Sequence, residues 1–425
     1  MNSVTLTPLS HPAAAVVAIP GSKSYTNRAL LMAAMCNRPV QILNPLISDD
    51  TKAMVCCLDT LGVVCTKDEY SITVSGDLDN VPEREYDMSA NLSGTTIRFM
   101  LALSTVTPGT KILRGNQGLQ KRPISDLVTG LRQLGAQIEY IENEGFPPLR
   151  VTSSKLSPGT VRMQGGVSSQ YFSALLMIAP RVGGMTIEVI GEQISKPYID
   201  MTIDTMRRFG VVVENNLYRS YDIAGGQHYD IAKYVVEGDV SSASYFFAIA
   251  ALTKSRITLT NMNPRSVQAD MGFLKILESM GNEVIFGVNE ITIQGQGVKA
   301  VEVNMEDCPD QAQTLAVLAA FAPGVTTISG VRSLRVKETE RVKAVGQELE
   351  RMGIKTSSTH DTLTIYGGEP KPALIQTYGD HRMAMSFAVA GAKLSGMQIE
   401  DPEVVNKTFP EFWEKLASLG AHVRV

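Results

Sequence analysis

The chain has 425 residues, 44 % of them hydrophobic and 19 % charged, with a formal net charge of −4. That length predicts more than one domain of ordinary soluble composition. The acidic balance excludes the strong basic excess of a nucleic-acid binder, and no run of about 18 apolar residues is available to span a membrane. Five cysteines (Cys36, Cys56, Cys57, Cys65 and Cys308), odd in number and without a zinc spacing, read as reduced core thiols.

Met1 to Ser10 has neither a basic start nor a long apolar core, so no signal peptide is expected and the cytoplasm is the default location. Val4-Thr5-Leu6 and Ala15 to Ile19 are candidate strands. Next comes Gly21-Ser22-Lys23-Ser24-Tyr25-Thr26-Asn27-Arg28, a small, hydroxyl-rich and cationic turn that runs directly into the apolar stretch Ala29 to Met35. Such a helix start leaves backbone N–H donors uncovered at the positive end of the helix dipole and can hold an anion.

The same polar turn leading into an apolar helix recurs five times. It starts at Ser93-Gly94-Thr95-Thr96, Ser168-Ser169-Gln170, Ser241-Ser242, Pro309-Asp310-Gln311 and Asp380-His381-Arg382. With Lys23, Gly94, Ser169, Ser242, Asp310 and His381 as anchors, subtraction gives steps of 71, 75, 73, 68 and 71 residues. A second track follows about forty residues behind: amphipathic stretches close with Gly62, Gly135, Gly210, Gly281, Gly353 and Gly420, where a left-handed C-cap is expected. Two tracks in register over six cycles make a sixfold internal repeat. Each cycle reads as buried helix, strand, amphipathic helix and two strands. The hairpin is clearest at Glu283 to Phe286 and Glu290 to Ile293.

The sixth cycle stops short at His422-Val423-Arg424-Val425, so its missing strand is expected from Val4 to Leu6 or from Ala15 to Ile19. Both termini then belong to one domain. The expected fold is α/β with two similar domains, residues 1–19 with 239–425 and residues 20–238. Two chain crossings, near Pro20-Gly21 and Gly238-Asp239, would form a hinge.

Cations gather at the anchor turns or just after strands: Lys23, Arg28, Arg122, Arg332, Arg335, Lys337, Arg341, Arg382 and Lys407. Arg335 to Arg341 is the densest stretch; on a helix, Lys337 and Arg341 would share a face, with Glu338 three residues from Arg341. A solvated ion-pair ladder would produce this pattern, and so would a phosphate and carboxylate clamp with one carboxylate left as an acid or base. Arg382 has no acidic partner at helical spacing. So many cations in an acidic chain suit substrates carrying phosphates and carboxylates.

Six stretches carry a family resemblance: Pro20 to Ser24, Ser93 to Arg98, Lys121-Arg122-Pro123-Ile124, Ser195 to Asp200, Arg335 to Thr339 and Gly379 to Ala384. With Lys407-Thr408-Phe409-Pro410, the whole chain resembles the 5-enolpyruvylshikimate-3-phosphate synthases. The resemblance implies two domains of three βαβαββ units each, an inside-out α/β barrel. It implies transfer of the enolpyruvyl group of phosphoenolpyruvate to the 5-hydroxyl of shikimate 3-phosphate, without metal or organic cofactor. Shikimate 3-phosphate would be held by Lys23, Ser24, Arg28, Ser168, Ser169, Gln170, Ser195, Asp310, Ser333 and Lys337. Phosphoenolpyruvate, and glyphosate in its place, would be held by Lys23, Gly94, Arg122, Gln170, Arg341, Arg382 and Lys407. Thr95, Tyr198 and His381 would support the site. Asp310 would serve as base and Glu338 as acid, with Lys23 stabilising the departing phosphate.

Two positions depart from the family pattern: Leu92 where most members carry Asn, and Ser333 where an Asn often meets the shikimate phosphate. A UDP-N-acetylglucosamine enolpyruvyl transferase would use a cysteine in a mobile loop, yet none lies between Cys65 and Cys308. A non-catalytic anion binder would not need both Asp310 and Glu338 among its cations. A monomer with small-molecule substrates, and with neither nucleic-acid nor membrane partner, is expected.

Overall fold

A computed structural model of the chain describes residues 2–10, 12 and 14–424. Its contacts divide the chain into two compact units. The terminal unit holds residues 1–20 and 237–425, and the inserted unit holds residues 21–236. Six helices lie in the inserted unit: α1 (Lys23–Ala34), α2 (Asp49–Thr60), α3 (Gly94–Thr105), α4 (Ser125–Gln133), α5 (Ser169–Val182) and α6 (Lys196–Arg208). The terminal unit holds α7 (Val240–Thr253), α8 (Gly272–Ser279), α9 (Ala312–Ala320), α10 (Arg341–Arg351), α11 (His381–Gly391) and α12 (Phe412–Ser418).

The odd-numbered helices are the apolar runs of the repeat, and they bury nearly all round. Every residue of α3 is buried, and so is every residue of α9 and α11. The even-numbered helices are amphipathic and close each cycle. All six glycines that follow them have φ between 81° and 104°, a region closed to most side chains.

Among the described residues, six four-stranded sheets complete the cycles. In each, one edge pair runs parallel and the remaining pairs are antiparallel. A parallel pair needs a crossover, and in four of the sheets the buried helix supplies it; in the first and fourth the two parallel strands come from distant parts of the chain. Both N-terminal stretches find use. Ser3–Thr7 lies between Met397–Glu400 and His422–Arg424 and completes the sixth sheet. Ala14–Ala18 pairs in parallel with Arg256–Thr260 and opens the fourth. In the inserted unit Lys233–Val235 does the same for the first sheet, beside Val40–Leu43.

One expectation about the cysteines is corrected. Cys57 is buried, but Cys56 on the outer side of α2 is exposed and Cys65 is half-buried; all five thiols are free.

Candidate active site

In the inserted unit, the odd helices place their first turns and the even helices supply partners from behind. Ser22, Ser93 and Ser168 cap α1, α3 and α5 with their own oxygens. Some donors expected to be open to an anion are therefore already occupied. Lys23 reaches Asp50 on α2 at 3.2 Å, and the carbonyl oxygen of Asp50 accepts from the Thr96 hydroxyl of α3. Arg28 is deeply buried. It donates to the Thr202 hydroxyl at 2.8 Å, the Ser24 carbonyl at 3.0 Å, the Tyr198 carbonyl at 3.1 Å and the Ser173 hydroxyl at 3.4 Å. Those bonds engage four of the five guanidinium N–H groups. Burial lowers its pKa to about 10, so it remains a cation at neutral pH.

The α3 and α5 turns are joined directly. Gln170 accepts from Arg98 at 2.5 Å and donates to Thr95 at 3.4 Å. The Arg122 guanidinium lies against the bare Cα of Gly94, where a Cβ would stand 2.7 Å from one terminal nitrogen. Ser169 is buried beside this group. Ser195 caps α6 in a left-handed conformation, φ 53°, and Tyr198 offers its carbonyl to Arg28 and Thr202. Leu92, 37 % exposed, packs beside Gly118.

The terminal unit gathers a denser cluster around Arg341, which is 1 % exposed at the start of α10. Its guanidinium reaches Asp380 Oδ2 at 2.7 Å, Asp310 Oδ1 at 2.9 Å and Glu338 Oε2 at 2.9 Å. Asp380 also caps α11 and takes a second bond from Arg341 at 3.3 Å. Arg382 meets Asp310 Oδ2 at 2.9 Å, Lys337 lies 3.8 Å from Asp310 Oδ1, and Lys407 bonds Glu338 Oε1 at 2.5 Å. Beneath Arg382 sits the Tyr245 hydroxyl at 3.4 Å; burial raises its pKa to about 12. His381 is buried beside Asp380 at 3.5 Å.

The electrostatics follow from these distances. Burial pushes the Asp310 carboxyl up, but Arg382, Lys337 and Arg341 outweigh it and hold the group well below the usual carboxylate range. Burial disfavours the Arg341 cation too, and Asp380, Glu338 and Asp310 reverse that. The three carboxylates and four cations form one network rather than a surface ladder.

Three expectations change. Residues 337–340 are not helical: Arg332–Val336 is a 3-10 turn, Lys337 is extended, and α10 starts only at Arg341. Lys337 and Arg341 meet through Asp310 instead of along a helix face. Arg382 has an acidic partner after all, Asp310, supplied from another repeat. Arg332 and Arg335 leave the cluster to pair with Glu306 and Glu340, and Ser333 sits half-buried in the turn between them. Sequence reasoning gave no role to Asp50, Arg98 or Tyr245, and it took Asp380 only as the opening of an anchor turn. Each acts through a partner distant in the chain, which local spacing does not reveal.

The sequence pattern of one family, EPSP synthase (3-phosphoshikimate 1-carboxyvinyltransferase), matches residues 9–416. A 3-phosphoshikimate 1-carboxyvinyltransferase of Sulfurovum sp. (strain NBC37-1) is 41 % identical over 99 % of this chain and 100 % of its own length. One from Shewanella amazonensis is 40 % identical over 99 % of each. Among solved structures, an EPSP synthase from Acinetobacter baumannii superposes with a TM-score of 0.83 at 24 % identity over 100 % of both chains. An enolpyruvyl transferase from Streptomyces tendae gives 0.79 at 18 % over 99 % of this chain and 98 % of its own. Those two likenesses concern the fold, whereas the sequence matches concern descent. The chain belongs to the EPSP synthase family.

Proposed function

We propose that the chain transfers the enolpyruvyl group of phosphoenolpyruvate to the 5-hydroxyl of shikimate 3-phosphate, releasing phosphate, on the route to chorismate and the aromatic amino acids. The observation that carries the reading is the placement of two carboxylates, Asp310 and Glu338, on one buried guanidinium among four cations. In the addition step the methylene carbon of phosphoenolpyruvate takes a proton, and the adjacent carbon becomes electron-poor and accepts the 5-hydroxyl oxygen. That oxygen loses its proton to a base. In the elimination the methyl carbon returns a proton, the double bond reforms and phosphate leaves.

Glu338 is the acid that gives and recovers the carbon-bound proton, and Asp310 is the base. Unliganded, Asp310 is held too acidic to be a good base. Anionic substrates facing Lys337, Arg341 and Arg382 would offset those cations and raise its proton affinity at the moment of need. Arg341 has four of its five N–H groups engaged by the protein. It offers phosphoenolpyruvate one direct bond at most, so its larger contribution is holding the acid and the base.

Lys407, Arg382, Arg122, Gly94, Gln170 and Lys23 hold phosphoenolpyruvate in this reading, and Lys23 also stabilises the departing phosphate. Shikimate 3-phosphate takes Lys23, Ser24, Arg28, Ser168, Ser169, Gln170, Ser195, Asp310, Ser333 and Lys337. Thr95, Tyr198 and His381 support these groups through the contacts already described. The enzyme acts as a cytoplasmic monomer; among the described residues no helix is long and apolar enough to cross a membrane. A coupled assay of phosphate release tests the reading. Phosphate should appear with shikimate 3-phosphate as acceptor. Release with UDP-N-acetylglucosamine instead, or with neither acceptor, overturns it.

A further inference from the structure

Arg341 is not the only point at which α10 meets the loop before α11. Seven residues further along the helix, or about 10 Å, stands Glu348, which is fully buried. Its Oε1 accepts from the Tyr378 hydroxyl at 2.6 Å and lies 3.3 Å from Arg351 Nε, and its Oε2 accepts from the Gln376 N–H at 3.1 Å. Arg351 in turn donates to the Gln376 side-chain oxygen at 3.1 Å. Two residues beyond Tyr378 comes Asp380. Its N–H donates to the Thr377 carbonyl at 2.8 Å, and its carboxylate takes two bonds from Arg341.

The backbone between these contacts is sharply turned. Tyr378 has φ 54° and Gly379 φ 67°. A bulky side chain rarely takes the left-handed conformation, and keeps it only where its surroundings over-determine it. Here the hydroxyl bond to a buried carboxylate supplies that hold, and a bond of this length to a charged oxygen is a strong one.

We propose that Glu348 and Tyr378 are positioning residues for proton transfer. They fix residues 376–380 to α10 at a second point, so that Asp380 is fixed, and Asp380 in turn fixes the fork of Arg341 that carries Asp310 and Glu338. With one contact α10 is free to pivot about the Arg341–Asp380 pair; with two it is not. The inference rests on the reading of Asp310 and Glu338 as base and acid.

The test starts from Tyr378→Phe, which deletes one hydroxyl and keeps a ring that is 39 % exposed. Its kcat should fall about tenfold, while KM for shikimate 3-phosphate moves less. A merely structural role would lower the denaturation midpoint and leave kcat per folded site at the wild-type value, and that result overturns the proposal. Glu348→Gln is the second variant should the first fail to fold. A carboxamide offers one acceptor where the loop presents two donors, so its kcat should fall by a similar factor. The double variant should lose no more than the worse single one, because both break the same contact; losses that multiply overturn it.

Hydrogen exchange of the Arg341 Nε proton supplies a readout that needs no activity. That proton, assigned by NMR through its absence in Arg341→Lys, should exchange with solvent about tenfold faster in either variant. Unchanged exchange, in an enzyme that is active as wild type, overturns the role of Glu348 and Tyr378 alone. Faster exchange, in a protein whose wild type releases no phosphate, upholds the link from Tyr378 to Arg341 and overturns the reaction assigned to it.

Discussion

Arg341 donates to Asp310 at 2.9 Å from one terminal nitrogen while its other terminal nitrogen holds Glu338 at the same distance. The proposed acid and base are thus carried on a single planar cation, itself fixed by Asp380. A guanidinium suits this task because its donors have a rigid fork geometry that an ammonium lacks. The spacing of the two carboxylates is then held by this shared side chain, with Arg382 on Asp310 and Lys407 on Glu338 bracing them from outside.

Asp310→Asn and Glu338→Gln should each lower turnover by about 10² to 10⁴. Equilibrium binding of shikimate 3-phosphate should be largely kept, since the cations remain. Single-turnover rates beside binding isotherms check this. Turnover near the wild-type rate in either variant removes that residue from proton transfer.

Replacing Arg341 has a different signature. Arg341→Met leaves Asp310, Glu338 and Asp380 without their shared partner in a buried setting, a loss of about 3–5 kcal/mol. Chemical denaturation of the variant should show it as a lower midpoint. Arg341→Lys should recover only part of the loss, because one ammonium cannot meet three carboxylates in that geometry.

The repeat was legible in the sequence because it rests on local signals. Polar turns precede apolar helices, and a glycine follows each amphipathic one; all six glycines do adopt the left-handed conformation expected. The short sixth cycle also announced that the N-terminus must supply a strand, though two stretches qualified and the fold uses both. The side-chain partnerships of the candidate site were not legible. Arg382 with Asp310 and Arg98 with Gln170 join different repeats, and Lys23 with Asp50 joins two helices of the first; helical spacing says nothing of such pairs. Lys337 was misplaced on a helix because its charge pattern suits one, while the backbone there remains extended to bring Lys337 toward Asp310.

Gly94→Ala should weaken phosphoenolpyruvate and glyphosate, and glyphosate more. The new Cβ would lie 2.7–3.0 Å from the Arg122 guanidinium atoms, so the side-chain end must move away. That costs the fold little because the displaced group is flexible, but it shifts the cation from its ligand. KM for phosphoenolpyruvate and the inhibition constant for glyphosate, both measured in the variant, check the placement. Unchanged inhibition would falsify it.

Lys111 supplies a pH prediction with a definite sign. Its ammonium is fully buried, donating to the Thr107 carbonyl and to the Gly109 carbonyl at 3.0 Å. Burial lowers its pKa from 10.5 to about 8. Between those values the unfolded chain binds more protons than the native one, so this group makes stability rise with pH across that window. The increment should be about 1–3 kcal/mol between about pH 8 and about pH 10.5. Lys111→Met should lose that slope relative to wild type in urea titrations at matched pH. An identical slope in both proteins would show that Lys111 titrates normally in the fold.

Gly21 and Gly238 occupy matching places in the two units and meet the same obstacle. A Cβ on Gly21 would stand 2.0 Å from the Asn44 carbonyl oxygen, and one on Gly238 2.1 Å from that of Asn261. Both asparagines have positive φ, 54° and 63°. Each uses its side-chain amide to hold a carbonyl of the adjoining strand, Asn44 that of Val236 at 2.9 Å and Asn261 that of Ile19 at 2.8 Å. Backbone, unlike the Arg122 side chain, cannot step aside cheaply. Gly21→Ala and Gly238→Ala should therefore each destabilise the fold by more than about 3 kcal/mol. Asn44→Ala and Asn261→Ala should each lose about 1–2 kcal/mol, from the missing hydrogen bond and the less favourable left-handed backbone. The repeat makes the paired comparison the decisive measurement. Denaturation midpoints for the four single variants should fall into two matched pairs, whereas a tolerated alanine at either glycine would mean that the close approach there is not required by the fold.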